Sequence, residues 1–324
     1  MNWELMAKVD TESFERCMQD FKTDAKIDTD NIRVFAEAFT NYPITRGPKT
    51  SLNSIVSKEK EILESIAKGR KENNLSYENL SIRFRANPFL LMELNNPPGF
   101  KITKPEKRVP DFQALIGVSY TFDGREDFYF DLNKHHQTLI AALSGHGKSF
   151  LVEQILEGLY NTPPSKIIFS VIDYKNSLNV NNSFIKDYIS RVEDTNDFLM
   201  FIKQDLEMRK QKQNTFLTKQ KRVIIIDEGA EIPKSLDGIL GSIMKQGRSL
   251  GVNVIFATQH PTAKQIGEIT AQSFTHRFIG RVSNANNALW ATGIEKSGAE
   301  KLLTKGSFLY CEGSATRIQV FSNG

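Results

Sequence analysis

The sequence predicts an α/β fold with a mainly parallel sheet, preceded by a smaller, largely helical N-terminal domain. Three observations carry that prediction. From about residue 136 onward, apolar strand-like runs alternate with segments of helical period. Between 139 and 160 an apolar strand runs into a glycine-bearing loop and then straight into a helix. A proline-bearing stretch, NNPPGFKITKPEKRVP at 95–110, separates this region from what precedes it, because proline fixes φ and removes an amide donor. The domains are therefore placed at 1–110 and 111–324.

The elements follow in order. Segment 2–22 carries Trp3, Met6, Val9, Phe14, Met18 and Phe21 at helical spacing. Segment 31–41 repeats that pattern and stops before Pro43. Segment 51–70 reads as one long helix with Leu52, Ile55, Val56, Ile62, Leu63 and Ile66 on one side, and Gly69 suits its C-terminal stop. SIRFRANPFLLMEL at 81–94 reads as a strand and a short turn. Beyond the linker, ALIGVSYTF and DFYFDL flank Asp123-Gly124, a hairpin signal. Strands are predicted at 136–143, 166–173, 222–227, 252–258, 276–282, 307–311 and 316–321. Helices are predicted at 148–160, 196–213, 235–249 and 284–291. Helices between buried strands imply a sheet covered on both faces. Gly313-Ser314 makes the last two strands a terminal hairpin.

Composition narrows the class. The 324 residues carry 42 Lys and Arg against 38 Asp and Glu, a net charge of +4 that permits a nucleic-acid partner without demanding one. Two cysteines, Cys17 and Cys311, exclude a disulfide framework and a cysteine-rich zinc site and point to a reducing compartment. No run approaches the roughly 18–20 apolar residues that span a bilayer, and the first ten residues carry acids rather than an apolar core. The expectation is a cytoplasmic protein with no integral membrane segment.

The most informative segment is LIAALSGHGKSF at 139–150. An apolar strand meets Ser144-Gly145-His146-Gly147-Lys148-Ser149, and a helix starts at once with Phe150 in its first turn. Glycines there let backbone amides turn inward around phosphate oxygens, and the helix N-terminus adds donors and positive dipole. Lys148 is placed to neutralise the outer phosphates of ATP, and Ser149 to put its hydroxyl on Mg²⁺. One position departs from G-x-x-x-x-G-K-S, since Ala142 stands where the first glycine belongs. RVIIIDEGAE at 222–231 then ends an apolar strand in two acids. Buried carboxylates are costly unless they meet a cation or water. Asp227 is placed to hold Mg²⁺ through water and Glu228 to activate the attacking water. A third strand, VNVIFATQHP, ends in Thr258-Gln259, whose amide can orient water or read the terminal phosphate.

The order GHGKS, DYK, EMRK, IIIDEGAEI, KQGRSLGVNVIFATQHP, THRFIGRVSNANN and GAEKLLTKGSFLY resembles the motor domain of the FtsK/SpoIIIE DNA translocases, within the wider HerA–FtsK group. The resemblance covers about residues 112–324. It implies a RecA-like phosphate-loop ATPase core, a homo-oligomeric ring of six subunits and double-stranded DNA as substrate. Carried over by residue, Lys148, Ser149, Asp227 and Glu228 keep the roles argued above, and Gln259 takes the sensor position. Arg248 takes the place of the arginine that this family inserts into a neighbour's site. A plain helix C-terminal arginine, favoured by the dipole, is the structural alternative. Arg277 and Arg281 share a strand face and are runners-up.

The pattern also breaks. Where the family's pore loop reads like V-S-S-K-x-D-S-R, this chain has VSNANNALW, with no charge at Ala285, Asn286, Ala288 or Leu289. A further family lysine falls near Thr270 or Ala271. Phosphate contacts by Lys and Arg normally dominate DNA affinity. The remaining DNA-binding candidates are Asn284, Asn286 and Asn287, or the basic run holding Arg209, Lys210, Lys212, Lys219, Lys221 and Arg222 around Phe216. A helix-capping turn and a solvated charged face are the alternatives for these two sets. Tyr174 in DYKNS resembles the FtsK-like ATPases of type VII protein secretion, where DNA translocases usually carry proline. No C-terminal winged-helix DNA reader follows the last strands. That points toward a virus or mobile element, with genome packaging or transfer of element DNA as the job and a portal or similar protein as partner. Two rivals stand beside the DNA motor: an ATPase moving protein substrates, and a non-catalytic, nucleotide-gated assembly protein.

Overall fold

A computed structural model describes residues 2–35, 39–48, 50–78, 80–85, 90–95, 102–120, 124–212 and 220–322. The chain divides into two compact units, one formed by 1–101 with 301–304 and one by 102–300 with 305–324.

The N-terminal unit packs three α-helices with a five-stranded sheet among the described residues, and helix outweighs strand in it as expected. Helix α1 (Trp3–Asp20) begins where the Asn2 side chain accepts from the Leu5 amide. Short strands β1 (Lys26–Ile27) and β2 (Arg33–Phe35) flank β3 (Phe39–Thr45). Helices α2 (Leu52–Val56) and α3 (Glu59–Glu72) precede β4 (Ile82–Arg85) and β5 (Leu91–Asn95), and all five strands pair antiparallel. The helix predicted at 31–41 is thus a strand pair. Apolar spacing over so short a run fits both periods, and tertiary pairing with β5 decides it. The long helix predicted at 51–70 breaks after Val56. Gly69 does not stop it: α3 continues to Glu72, and a Cβ at Gly69 would stand 2.2 Å from the Ser13 hydroxyl of α1. The glycine lets two helices close on each other. Phe14, Met18, Tyr42, Ile62, Ile66, Met92 and Leu94 form the core.

Among the described residues, the larger unit holds one ten-stranded sheet. Its strands in chain order are β6 (Gln113–Tyr120), β7 (Arg125–Asp131), β8 (Gln137–Ala141), β9 (Ile167–Ile172), β10 (Ile185–Ile189), β11 (Lys221–Ile226), β12 (Val252–Thr258), β13 (His276–Ile279), β14 (Ser307–Glu312) and β15 (Ser314–Val320). The spatial order is β10-β9-β11-β12-β8-β13-β14-β15-β6-β7. The first six run parallel, and the last four are joined antiparallel. The hairpins β6–β7 and β14–β15 form as predicted, although Asp123 itself lies outside the described residues. Strand β10 was not anticipated, because IKDYI alternates too weakly to stand out.

Helix α4 (Lys148–Leu159) buries Leu151, Val152, Ile155, Leu156 and Leu159 against Val223, Ile225, Ile255 and Ala257. Each such side chain contributes about 1.5–3 kcal/mol of apolar burial. Helices α5 (Thr195–Gln211) and α6 (Asp237–Leu250) cover the opposite face. There Arg222 of β11 pairs with Asp205 of α5, and Gln137 of β8 donates to the Met244 carbonyl of α6 at 2.8 Å. The short helices α7 (Ala263–Ile266) and α8 (Glu268–Gln272) lead into β13, and α9 (Ala285–Thr292) follows it. Both faces of the parallel strands are therefore covered, and ligands reach them at their C-terminal ends.

Candidate nucleotide site

Strands β8, β11 and β12 are neighbours, so the loop after Ala141, the acids after Ile226 and the amide after Thr258 emerge side by side. The phosphate loop closes with Gly147 at φ 97° as the residue before α4, and Gly145 lies at φ 78°. Both angles favour glycine. Ala142 replaces the usual first glycine, and the opposing strand end makes room for it. A Cβ at Gly280 would lie 2.8 Å from the Ala142 methyl, so the glycine at 280 leaves the space that the alanine fills.

An open cleft of about 330 Å³ is lined by Ser144, Gly145, Gly147, Lys148, Ser149 and Phe150, together with Lys175, Ser177, Asp227, Glu228, Gln259 and Lys305. Lys148 is buried and ion-paired with Asp227, and its Nζ lies 3.0 Å from Glu228 Oε1. Gln259 Nε2 donates to the same Glu228 oxygen at 2.6 Å. Burial pushes the Glu228 carboxyl up, but the Gln259 hydrogen bond and the Lys148 charge more than offset it and hold the group below its ordinary value. Glu228 is therefore ionised near neutral pH. Its backbone sits at φ 48°, a strained position for a side chain, and Gly229 follows because a Cβ there would meet the Phe256 ring at 2.2 Å.

The sequence missed a second group of cleft residues. Asp173, buried at the end of β9, accepts from the Leu178 amide at 2.9 Å and the Lys175 amide at 3.1 Å. That turn presents Lys175 and Ser177 to the cleft. Ser177 Oγ donates to Asp227 Oδ2 at 3.0 Å, and Lys175 Nζ lies 2.7 Å from Glu231. The signal was DYKNS at the end of a strand adjacent to the acidic one. Tyr174 points elsewhere, with its hydroxyl 2.7 Å from Thr195 Oγ1.

The donors suit Mg²⁺. No group of three His, Cys, Asp or Glu residues clusters as a metal site among the described residues. Mg²⁺ keeps several waters and phosphate oxygens, so one hydroxyl (Ser149) and one carboxylate (Asp227) are an adequate protein set.

Other predicted residues fall outside the cleft. His146 supplies backbone: its carbonyl accepts from the Gly306 amide at 3.1 Å, and its buried Nδ1 finds no hydrogen-bond partner among the described residues. Burial, aided by the Arg281 and Lys305 charges, pushes its pKa down. Arg248 is exposed near the C-terminal end of α6, which leads into the start of β12. It therefore sits at the opposite end of the parallel strands from its own phosphate loop. Arg277 is removed as a catalytic candidate, because its guanidinium donates to the Trp290 and Ala291 carbonyls.

The DNA-binding candidates change similarly. Arg209 is buried, donating to Asp205 and to the Gln220 and Leu250 carbonyls, so it joins α5 to the sheet instead of facing solvent. Arg222 is likewise buried against Asp187, Asp205 and Ser170. Lys210 and Lys212 are exposed; Phe216 and Lys219 lie outside the described residues. Asn284 caps α9 by accepting from the Asn287 amide at 2.9 Å, which occupies its carbonyl oxygen. Asn287 Nδ2 donates to Ser283 Oγ at 2.8 Å, and Asn286 is exposed.

Comparison with known proteins follows the same line. The chain is 27% identical over 243 residues to the DNA translocase FtsK of Staphylococcus epidermidis, covering 64% of this chain and 30% of that protein. It is 25% identical over 233 residues to the DNA translocase SpoIIIE of Bacillus subtilis, covering 62% of this chain and 29% of that one. The chain is a relative of the FtsK/SpoIIIE DNA translocases. It spans under a third of the length of these two relatives. No family model matches it. In fold, this FtsK/SpoIIIE relative is similar to the conjugation coupling protein TcpA of pCW3 in its monomer form with ATPγS. The TM-score is 0.60 at 15% identity, covering 96% of this chain and 94% of that one.

Proposed function

We propose that this chain is an ATP- and Mg²⁺-dependent motor that moves double-stranded DNA, working as a homo-oligomeric ring. The observation that carries the reading is the junction of Lys148, Asp227, Glu228 and Gln259 at the ends of three adjacent strands, in a relative of DNA translocases. Lys148, once a triphosphate enters, exchanges carboxylate partners for phosphate oxygens. Ser149 and Asp227 would hold Mg²⁺, which when bound withdraws charge from the outer phosphates. Glu228, freed of Lys148 but still held by Gln259, takes the proton of an attacking water. Arg248, at the far end of its own sheet, serves the site of an adjacent subunit and stabilises charge on the transferred phosphoryl group. No helix among the described residues is long and apolar enough to cross a membrane, which suits a motor at work in the cytoplasm. Six subunits, and packaging or transfer of element DNA, are the finer parts of the proposal.

The test is Mg²⁺-dependent ATP turnover with and without duplex DNA across a salt series. DNA stimulation that fades with salt supports the motor. Turnover without stimulation favours the second reading, an ATPase for protein substrates, toward which Tyr174 and the uncharged segment 283–290 point. Absence of turnover in every assembly state refutes both.

A further inference from the structure

The charges lining the cleft are mostly spent on one another. Lys148 is paired with Asp227 and Glu228, and Lys175 with Glu231. Lys305 is the exception. It lines the same cleft, is exposed, and has no carboxylate within ion-pair distance among the described residues. Three lysines therefore line the cleft beside two carboxylates, Asp227 and Glu228, and a polyanion entering it finds Lys305 as the cation that need not first leave a partner.

The lysine is also held in place from behind. The next residue, Gly306 at φ 76°, donates its amide to the His146 carbonyl at 3.1 Å and accepts from the Val320 amide at 2.9 Å. A Cβ on Gly147 would stand 3.2 Å from the Gly306 Cα, so the two loops are in backbone contact. Gln319 Nε2 donates to the Lys305 carbonyl at 2.9 Å. The strand pair β14–β15 thus braces the phosphate loop and delivers a charge to its rim. The Lys305 charge is already felt there, as one of the two that depress His146.

We infer that Lys305 is a second cationic contact for the nucleotide's polyphosphate, which makes affinity climb with phosphate number. The inference rests on the nucleotide-binding part of the function proposed above. A charge-assisted contact to phosphate is stronger than a neutral one but is weakened by water at an exposed site.

The test is calorimetric binding of ATP, ADP, AMP and tripolyphosphate to the full chain and to Lys305→Ala, Lys305→Gln and Lys305→Arg, with thermal melting as a fold control. The expected result is an affinity loss of about ten-fold for ATP and tripolyphosphate in the Ala and Gln variants. AMP should change little, and Arg should restore most of the loss. Higher salt should narrow the difference. Equal ATP affinity in the full chain and Lys305→Gln overturns the inference while leaving the nucleotide site intact. A loss that Arg fails to restore, together with a lowered melting temperature, overturns it in favour of loop packing. Failure of the unsubstituted chain to bind ATP or tripolyphosphate overturns the function itself.

Discussion

His135 gives a stability prediction with a sign and a size. It sits at the turn between β7 and β8, stacked on Phe130 at 4.9 Å between ring centroids and edge-on to His276, Phe278 and Tyr310. Its Nδ1 accepts from the Asp131 amide at 2.8 Å, so the ring is neutral and carries its proton on Nε2. Burial, then the His276 and Lys134 charges, lowers its pKa from 6.5 to about 3. Between those values the unfolded chain binds a proton that the folded one does not, so stability falls as pH drops below 6.5. Linkage across that gap gives a loss of about 2 kcal/mol between pH 7 and pH 5. The carboxylates held low by Gln259, Thr270 or Lys134 act only further into acid. His136, His146 and His276 are lowered too and add slope of the same sign. The perturbation is therefore His135→Asn, whose amide oxygen keeps the acceptor for Asp131 while removing the titration. Urea unfolding is followed through Trp290 in a Trp3→Phe background, which reports the larger unit alone. The variant should be less stable at pH 7, with a visibly shallower decline to pH 5. Parallel declines in the two proteins would refute a neutral buried His135.

Four further outcomes are expected. Lys148→Ala and Glu228→Gln should each lower ATP turnover at least about 100-fold, and Glu228→Gln should still bind ATP by calorimetry. Arg248→Ala should bind ATP normally yet lose turnover, and mixing it with Lys148→Ala protein should restore part of the activity through sites assembled from both. Retained activity in Arg248→Ala alone removes the shared-site arrangement. Gly229→Ala should destabilise the larger unit by about 1–3 kcal/mol in denaturant melts, because its methyl would overlap the Phe256 ring. Arg209→Met should cost stability, by up to about 3–5 kcal/mol for a broken buried pair, and leave the salt slope of any DNA binding unchanged, whereas Lys210→Ala and Lys212→Ala should reduce that slope if those lysines meet phosphate.

Much of this molecule was legible in the residues. Strands β8, β11 and β12 carry the buried apolar runs 139–141, 223–226 and 254–257, as strands covered on both faces do, and each leads into a polar or charged segment. Lys148, Asp227, Glu228 and Gln259 were singled out by residue type, and the structure brings all four into one cleft. Other sites were misleading for physical reasons. Arg209 and Arg222 look like a basic surface run. Yet α5 and β11 turn both guanidiniums inward onto Asp187 and Asp205, and charge in a sequence carries no record of burial. The segment 31–41 was ambiguous because a short apolar pattern suits helix and strand alike, and only its pairing with distant residues 91–95 settles it.

The sequence by itself determined where the candidate nucleotide site lies: a strand, a glycine turn, a lysine and an acid pair are local features whose meaning depends on covalent neighbours and side-chain type. Tertiary structure alone decided which charges are available. Lys305 reaches the phosphate loop, and Arg209 leaves the surface, because strand order in the sheet brings together residues that are far apart in the chain. Burial then sets whether each charge is spent on a neighbour or left for a ligand.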